Sequence, residues 1–205
     1  MDDAARADAR SWAERYIAIV EAYDLCPWAA PARARGEVWI EACEVDEVED
    51  ALARFTASPD AVVGLCVIPN FDGDPTALRR WRGALCERPL GRILALADFH
   101  PDATLDATTP QRLIPFLRRS PDPLIQAVRH ETLANLRRGG TMLVPSDQLA
   151  ALAGRPPERP RDVSDQVAET NHARMQQDGV ALAAALDELV TARRADRASR
   201  GRPRR

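Results

Sequence analysis

Ala61-Val62-Val63-Gly64-Leu65-Cys66-Val67-Ile68 is a continuous apolar run held between Pro59-Asp60 and Pro69-Asn70. A run this short, bounded by turn residues at both ends, reads as a strand covered on both faces. The flanks supply the cover. Upstream, Glu37 to Glu44 alternates, with Val38, Ile40 and Ala42 on one side and Glu37, Trp39 and Glu41 on the other, as in a half-buried strand. Asp46 to Ala57 returns to helical period through Val48, Leu52 and Phe55. Downstream, Asp74-Pro75 opens a helix, an N-cap followed by proline at the first helical position, which runs to about Glu87. Pro89 and Gly91 break it, and Arg92 to Phe99 reads as a third strand ending at His100-Pro101-Asp102.

Before the first strand, residues 2–23 form a helix with Trp12, Tyr16, Ile19, Val20 and Tyr23 on one stripe. It stops at Asp24-Leu25-Cys26-Pro27, and a loop rich in Ala, Pro and Arg follows. Strands separated by helices imply crossover units packed in layers. The second half reads as helical. Pro110 to Leu117 is short, and a longer helix runs from Asp122 or Pro123 to about Arg138, stopped by Gly139-Gly140. Thr141 to Val144 reads as a short edge strand, Ser146-Asp147 as the cap of a small helix, Gly154 to Arg161 as a linker and about 162–193 as a last helix. The expectation is an α/β fold: a small, mostly parallel or mixed sheet of three to four strands packed with helices. Residues 1–192 form the single domain and 193–205 a basic, disordered tail.

Composition narrows the chemistry. The chain has 205 residues, 45% of them apolar, enough for a core that needs no disulfide or metal. Its 28 basic and 31 acidic residues nearly balance, which argues against a nucleic-acid-binding domain. All the basic residues are arginine, so lysine Schiff-base chemistry and a phosphate-loop lysine are both excluded. The cysteines, at 26, 43, 66 and 86, form no CxxC pair, and the acidic start is unlike a secretory leader. No apolar run reaches the roughly 18 residues of a membrane span. Reduced thiols in a cytoplasm are expected.

Three loop clusters carry residue types suited to a site. Leu25-Cys26-Pro27-Trp28 places a thiol just past a helix C-terminus, where the dipole disfavours thiolate and activation needs a nearby cation or histidine. Phe99-His100-Pro101-Asp102 puts an imidazole at a strand exit, where it can serve as acid, base or ligand, with Asp102 to orient it or add charge. Arg118-Arg119-Ser120-Pro121-Asp122-Pro123 precedes the expected helix, whose free N–H groups beside Arg119 and Ser120 make an anion anchor. Arg129 lies about two turns into that helix and does not share a face with Glu131. Each cluster has a plainer alternative: a buried small thiol, a histidine bonding a loop carbonyl, a capped helix with surface ion pairs. GxGxxG, Walker, GxSxG and HExxH signatures are absent. Asn70 to Asp74 reads as a strand-to-helix turn because the glutamate that would end a calcium loop is missing.

Together these clusters resemble the bacterial and plant family known as domain of unknown function 1415. Leu25, Cys26, Pro27, Trp28 and Ala29 match its Leu-Cys-Pro-aromatic-Ala segment, Phe99, His100 and Pro101 its Phe-His-Pro, and Arg119, Ser120, Pro121 and Pro123 its Arg-Ser-Pro-x-Pro. Arg129 and Glu131 match a later Arg and Glu, and the resemblance spans about residues 10–180. Gln126 stands where members often carry histidine, and Asp122 where an aromatic residue is common. The resemblance implies that Cys26, His100 and Arg119 belong together; it implies no particular reaction and no particular cofactor.

The leading expectation is a small cytosolic enzyme acting on a small organic acid or phosphorylated compound. Cys26 is its nucleophile or redox group, His100 its acid or base, and Arg119 its anion clamp, with Arg129, Ser120 and Asp102 on the substrate side. The alternatives are a metal- or haem-binding redox protein with Cys26 and His100 as ligands, and a non-catalytic ligand-binding module.

Overall fold

The apolar run at 61–68 forms the second strand of a four-stranded mixed sheet. In the computed structural model, which describes residues 1–139 and 163–200, the chain order is α1 (Asp3–Ala22), α2 (Ala29–Ala34), β1 (Val38–Ala42), α3 (Val48–Ala57), β2 (Val63–Val67), α4 (Pro75–Cys86), β3 (Leu94–Phe99), α5 (Pro110–Leu117), β4 (Leu124–Arg129), α6 (His130–Gly139) and α7 (Val163–Arg200). Side-chain caps start three of the helices. Asp2 accepts from Ala5 N–H at 2.7 Å, Asp74 from Ala77 N–H at 2.7 Å, and Thr109 from Arg112 N–H at 3.3 Å. None of the described helices is long and apolar enough to cross a membrane.

The sheet order is β1-β2-β4-β3. β1 and β2 run parallel, joined through α3, and β4 is antiparallel to both neighbours, with Cys66 opposite Ile125 and Asp98 opposite Ile125 from the other side. Strand alternation then sorts side chains onto two faces. Ala42, Leu65, Val67, Phe99 and Leu124 pack with α1, α5 and α7. Cys66, Ile68, Leu94, Ile125 and Ala127 pack with α3 and α4. The α/β expectation and the mixed sheet both hold.

Four expectations need correction. The helix expected from Asp122 or Pro123 to about Arg138 is instead β4 followed by α6. Leu124, Ile125, Ala127 and Val128 suit a strand buried on both sides as well as a helix, and the choice falls to their context. Pro121 and Pro123 bias the residues before them to extended backbone, so the chain is already straight where β4 starts. The segment after Cys26, expected as loop, contains α2. Its Pro31 lies in the first turn, where a missing N–H costs nothing. The supposed disordered tail is helical through Arg200, and Arg193 is buried. It is ordered because its arginines find carboxylates on other elements. Lastly, Arg129 ends a strand rather than standing inside a helix. The expected edge strand at 141–144, the small helix capped at 146–147 and the linker at 154–161 lie outside the described residues.

α3 packs on the sheet through Phe55, which is fully buried, and the contact requires glycine beneath the ring. A Cβ at Gly64 would stand 2.8 Å from two ring carbons of Phe55. Gly64→Ala should destabilise the fold by about 1–3 kcal/mol, as overpacking of a dense core does. Phe55→Leu in the same chain should recover part of that loss in urea titrations.

Arg6 binds both carboxylate oxygens of Glu47, at 2.8 and 2.9 Å, and donates to Ala42 O at 2.8 Å, tying α1 to the end of β1. That hydrogen bonding from Arg6 holds the Glu47 carboxyl at about 2 against an ordinary 4.5. Between those values the unfolded chain binds the proton and the folded chain does not, so this contribution is complete above pH 4.5 and fades as pH falls toward 2. In acid titrations of urea stability, Glu47→Gln should flatten the decline over that window.

Candidate functional site

The turn that presents the first candidate residue is held from outside. At the end of α1, Leu25 N–H donates to Val20 O at 2.9 Å and Asp24 N–H to Glu21 O at 3.0 Å. Asp24 sits at φ 45°, the left-handed conformation usually left to glycine. Arg174 of α7 stabilises it, donating to Tyr23 O at 2.8 Å, to Asp24 O, and to the Asp24 carboxylate at 2.9 Å. Buried Asn171, one turn earlier, donates to Leu25 O at 2.9 Å. Cys26 follows with a half-buried thiol. Burial pushes that thiol up, and the nearby backbone amides of Trp28 and Ala29 offset part of the rise, the Ala29 N–H itself donating to Cys26 O at 3.0 Å. Sequence reasoning weighed only the C-terminus of α1 behind Cys26 and missed these donors, because α2 read as loop. All four cysteines are free, and burial lifts Cys43 to about 12 and Cys66 well above its ordinary range.

The second and third clusters meet beside Tyr16. Its hydroxyl, buried, donates to Leu117 O at 2.6 Å, and its ring stands edge-on to Phe99 with centroids 6.0 Å apart. His100 N–H donates to Arg118 O at 3.1 Å, and Arg119 Nε donates to Pro101 O at 2.8 Å. The second and third stretches therefore meet at the end of the sheet where β3 finishes, while the Cys26 turn is held by α7 and leads through α2 into the start of β1. Their polar side chains, however, are mostly engaged with the protein itself.

His100 is buried with both ring nitrogens occupied. Nε2 donates to Gly73 O at 2.9 Å and Nδ1 accepts from Asp102 N–H at 3.1 Å, a pattern met by the neutral Nε2–H tautomer. It links the loop after β2 to the loop after β3 and makes no hydrogen bond to Cys26. To ligate a metal or haem iron it would first have to release Gly73 or Asp102. The Asp102 carboxylate turns to Arg194 instead, standing 3.9 Å from Nδ1. Arg119 also pairs with Asp187 of α7. Ser120 Oγ donates to Asp122 O at 2.6 Å, and no helix begins there to offer free N–H groups. Arg129 lies far from these, at the opposite end of β4. It caps the carbonyls closing α3 and its following loop, Phe55 at 3.0 Å, Thr56 at 3.2 Å, Ser58 at 2.6 Å and Ala61, with its guanidinium 4.9 Å from the Phe55 ring centroid.

Arg118 behaves differently. Its guanidinium is 5.5 Å from the Phe99 ring centroid and makes no hydrogen bond or ion pair among the described residues. Burial pushes it down from its ordinary range, and Asp98 offsets this only from a distance, being itself held by Arg82 at 3.0 Å and Arg79 at 3.6 Å. Tyr16 lies within electrostatic reach of both Arg118 and Cys26. Sequence reasoning named Arg118 but favoured its neighbour Arg119; only the direction of the two side chains separates them. It assigned Tyr16 to the apolar stripe of α1, and nothing in the pattern marked it further. Among the described residues, no group of three or more His, Cys, Asp and Glu side chains is close enough to hold a metal ion.

Residues 4–138 match the family model described as protein of unknown function, DUF1415, and the chain belongs to that family. No curated protein and no solved structure matches it. The matched region holds Cys26, His100 and the 118–123 stretch, whereas α7, which touches all three clusters, lies beyond it.

Capping by Arg129 is a folding role, separate from any ligand. Arg129→Met should lower stability by about 2–4 kcal/mol, since buried carbonyls lose their donors. Phosphate affinity of the variant, measured calorimetrically in the folded state, should equal that of the wild type.

Proposed function

We propose that this DUF1415 member binds a small anion, an organic acid or a phosphorylated compound, with the Arg118 guanidinium as its seat. One observation carries the reading: Arg118 is a half-buried cation with no anionic partner among the described residues, where the buried Arg193 is paired. Taking a guanidinium out of water without a counter-charge is costly, and a bound carboxylate or phosphate offsets that cost through charge-assisted hydrogen bonds. The aromatic floor of Phe99 and Tyr16 lowers the local dielectric and strengthens the attraction. The four free thiols favour a cytoplasmic setting.

Binding rather than catalysis is the fuller account, because His100, the base that a cysteine enzyme would need, is committed to two backbone groups. One feature favours the enzyme as a second reading: the backbone amides of Trp28 and Ala29 beside Cys26 offset part of the rise that burial gives its thiol. Alkylation of Cys26 as a function of pH separates the two. The binding reading expects a midpoint above the ordinary 9.0, as burial dictates. The catalytic reading requires one below it.

Calorimetric titration with inorganic phosphate tests the anion seat. Arg118→Gln should weaken binding by about 10–100-fold, the worth of a charge-assisted pair. In phosphate-free buffer, Arg118→Met should leave the thermal midpoint unchanged or raise it, because it removes an uncompensated buried charge. Phosphate binding that survives Arg118→Gln, or a large loss of stability in the Met variant, would sink the reading.

A further inference from the structure

β1 stands at the edge of the sheet, and half of its backbone faces away from β2. The pairing uses odd-numbered residues: at its two ends Glu37 O accepts from Val63 N–H at 3.2 Å and Cys43 N–H donates to Val67 O at 2.9 Å. Backbone groups alternate in direction along a strand, so Val38, Ile40 and Ala42 turn theirs outward. Arg6 takes the Ala42 carbonyl at 2.8 Å. The N–H and C=O groups of Val38 and Ile40 have no partner among the described residues. An edge of this kind is a template for a further strand, and natural sheets usually blunt it with lysine, proline or a bulge. Val38-Trp39-Ile40 carries none of these, and its register with β2 is unbroken.

α1 runs alongside that edge. Two open grooves, of about 380 and 400 Å³, lie between the outer face of the helix and the strand, with room for an extended segment. Arg6 and Arg10 line the first with residues 39–42, and Arg10 and Glu14 line the second with Val38 and Ile40. Numbers that rise along α1 therefore fall along β1: Arg6 is level with Ala42, Arg10 with Ile40 and Glu14 with Val38. Four helical residues advance about 6 Å and two strand residues about 6.6 Å, so helix and strand stay in step. Arg10 and Glu14 are exposed and make no ion pair among the described residues.

A second copy of the chain fits this edge better than a foreign strand. A twofold axis through Trp39 sets β1 antiparallel to its mate, with Val38 opposite Ile40 of the other copy. Each such pair exchanges two hydrogen bonds, and the Ala42 carbonyl stays with Arg6. Because α1 packs mainly over β1, the same axis brings the two α1 helices side by side and antiparallel, on one face of a continuous eight-stranded sheet. Trp39 is level with the midpoint between Arg10 and Glu14, so Arg10 of each copy meets Glu14 of the other. The register that pairs the free backbone thus pairs the free charges too. An axis through Ile40 would need the carbonyl that Arg6 holds and would set Arg10 against Arg10. A foreign strand would pair the backbone alone.

We propose that the chain forms a symmetric dimer in which β1 pairs with β1 of a second copy, Trp39 lying on the axis, and Arg10–Glu14 contacts join the two α1 helices.

Sedimentation velocity of the full chain over a dilution series should show a dimer that dissociates as it is diluted. Arg10→Glu places like charges together at two symmetric contacts and should raise the dissociation constant roughly tenfold or more, as should Glu14→Arg. The double variant should return to within about threefold of the wild type. These substitutions lie on an exposed helix face and should leave the urea midpoint of the dilute chain unchanged. Amide hydrogen exchange gives a second readout. Val38 and Ile40 should be protected where the dimer forms and exchange fast on dilution, while Trp39 and Glu41, bonded to β2, stay protected in both. A chain that stays monomeric at several hundred micromolar overturns the proposal. So does a dimer indifferent to the single reversals, one that the double variant fails to restore, or exchange at Val38 and Ile40 that ignores concentration.

Discussion

The arrangement depends on one carboxylate sealed from water. Asp122, 1% exposed, accepts from Arg193 Nε at 2.9 and 3.0 Å and from Arg197 at 2.8 Å. Arg193 also reaches Asp8 of α1 and Asp196 on its own helix. Burial alone would depress the Arg193 guanidinium, but Asp122 and Asp8 hold it above its ordinary range. Neither ion is tolerable alone in that setting, since breaking a buried pair costs about 3–5 kcal/mol. The pair therefore acts as a register pin: α7 docks in the one position that places Arg193 between Asp122 and Asp8. Once it is docked there, the same helix sets Asp187 at Arg119, Arg174 at Asp24 and Asn171 at Leu25. The geometry around Cys26 and Arg118 is thus inherited from an ion network that takes no part in ligand chemistry.

That dependence explains which parts of the fold were legible in the residues. The run at 61–68, the alternation at 37–44 and the Asp74-Pro75 cap are local signals, each decided by a few neighbouring side chains. β4 is different. Leu124 to Arg129 has apolar side chains on both faces because it is inserted between β2 and β3 and covered by helices on each side. A segment buried all round loses the periodicity that separates strand from helix, and tertiary pairing decides. The arginines at 193, 197 and 200 were misread for a related reason. Their ordering partners, Asp8 and Asp122, lie more than seventy residues away in the chain, and a window of sequence sees only a run of like charge.

The site was legible in part, and the reason is physical. His100 and Arg119 lie on segments that meet, and the Cys26 turn is tied to α7 instead, so loop residue types that stand out from composition were a partial guide to where the chain converges. They were a poorer guide to which atoms are free. His100, Ser120 and Arg129 each direct their polar atoms at backbone carbonyls or amides, because turns at the ends of strands leave such groups without secondary-structure partners. Histidine, serine and arginine are the side chains that satisfy them. The residue types that suggest chemistry are also those that close loops, and only hydrogen-bond accounting distinguishes the two uses.

Applied to the whole gathering, that accounting leaves a short remainder. With the ion pairs, caps and loop closures assigned, no fully buried side-chain polar atom among the described residues lacks a partner. Arg118 is half-buried and makes no ion pair among the described residues, its guanidinium standing 5.5 Å from the Phe99 ring centroid. Folding alone would favour an apolar side chain there, since a guanidinium beside the Phe99 ring brings no internal ion pair. A protein that seals Asp122 with two arginines is not careless with polar groups. An unpaired guanidinium in such a chain is the feature on which the anion-binding proposal stands.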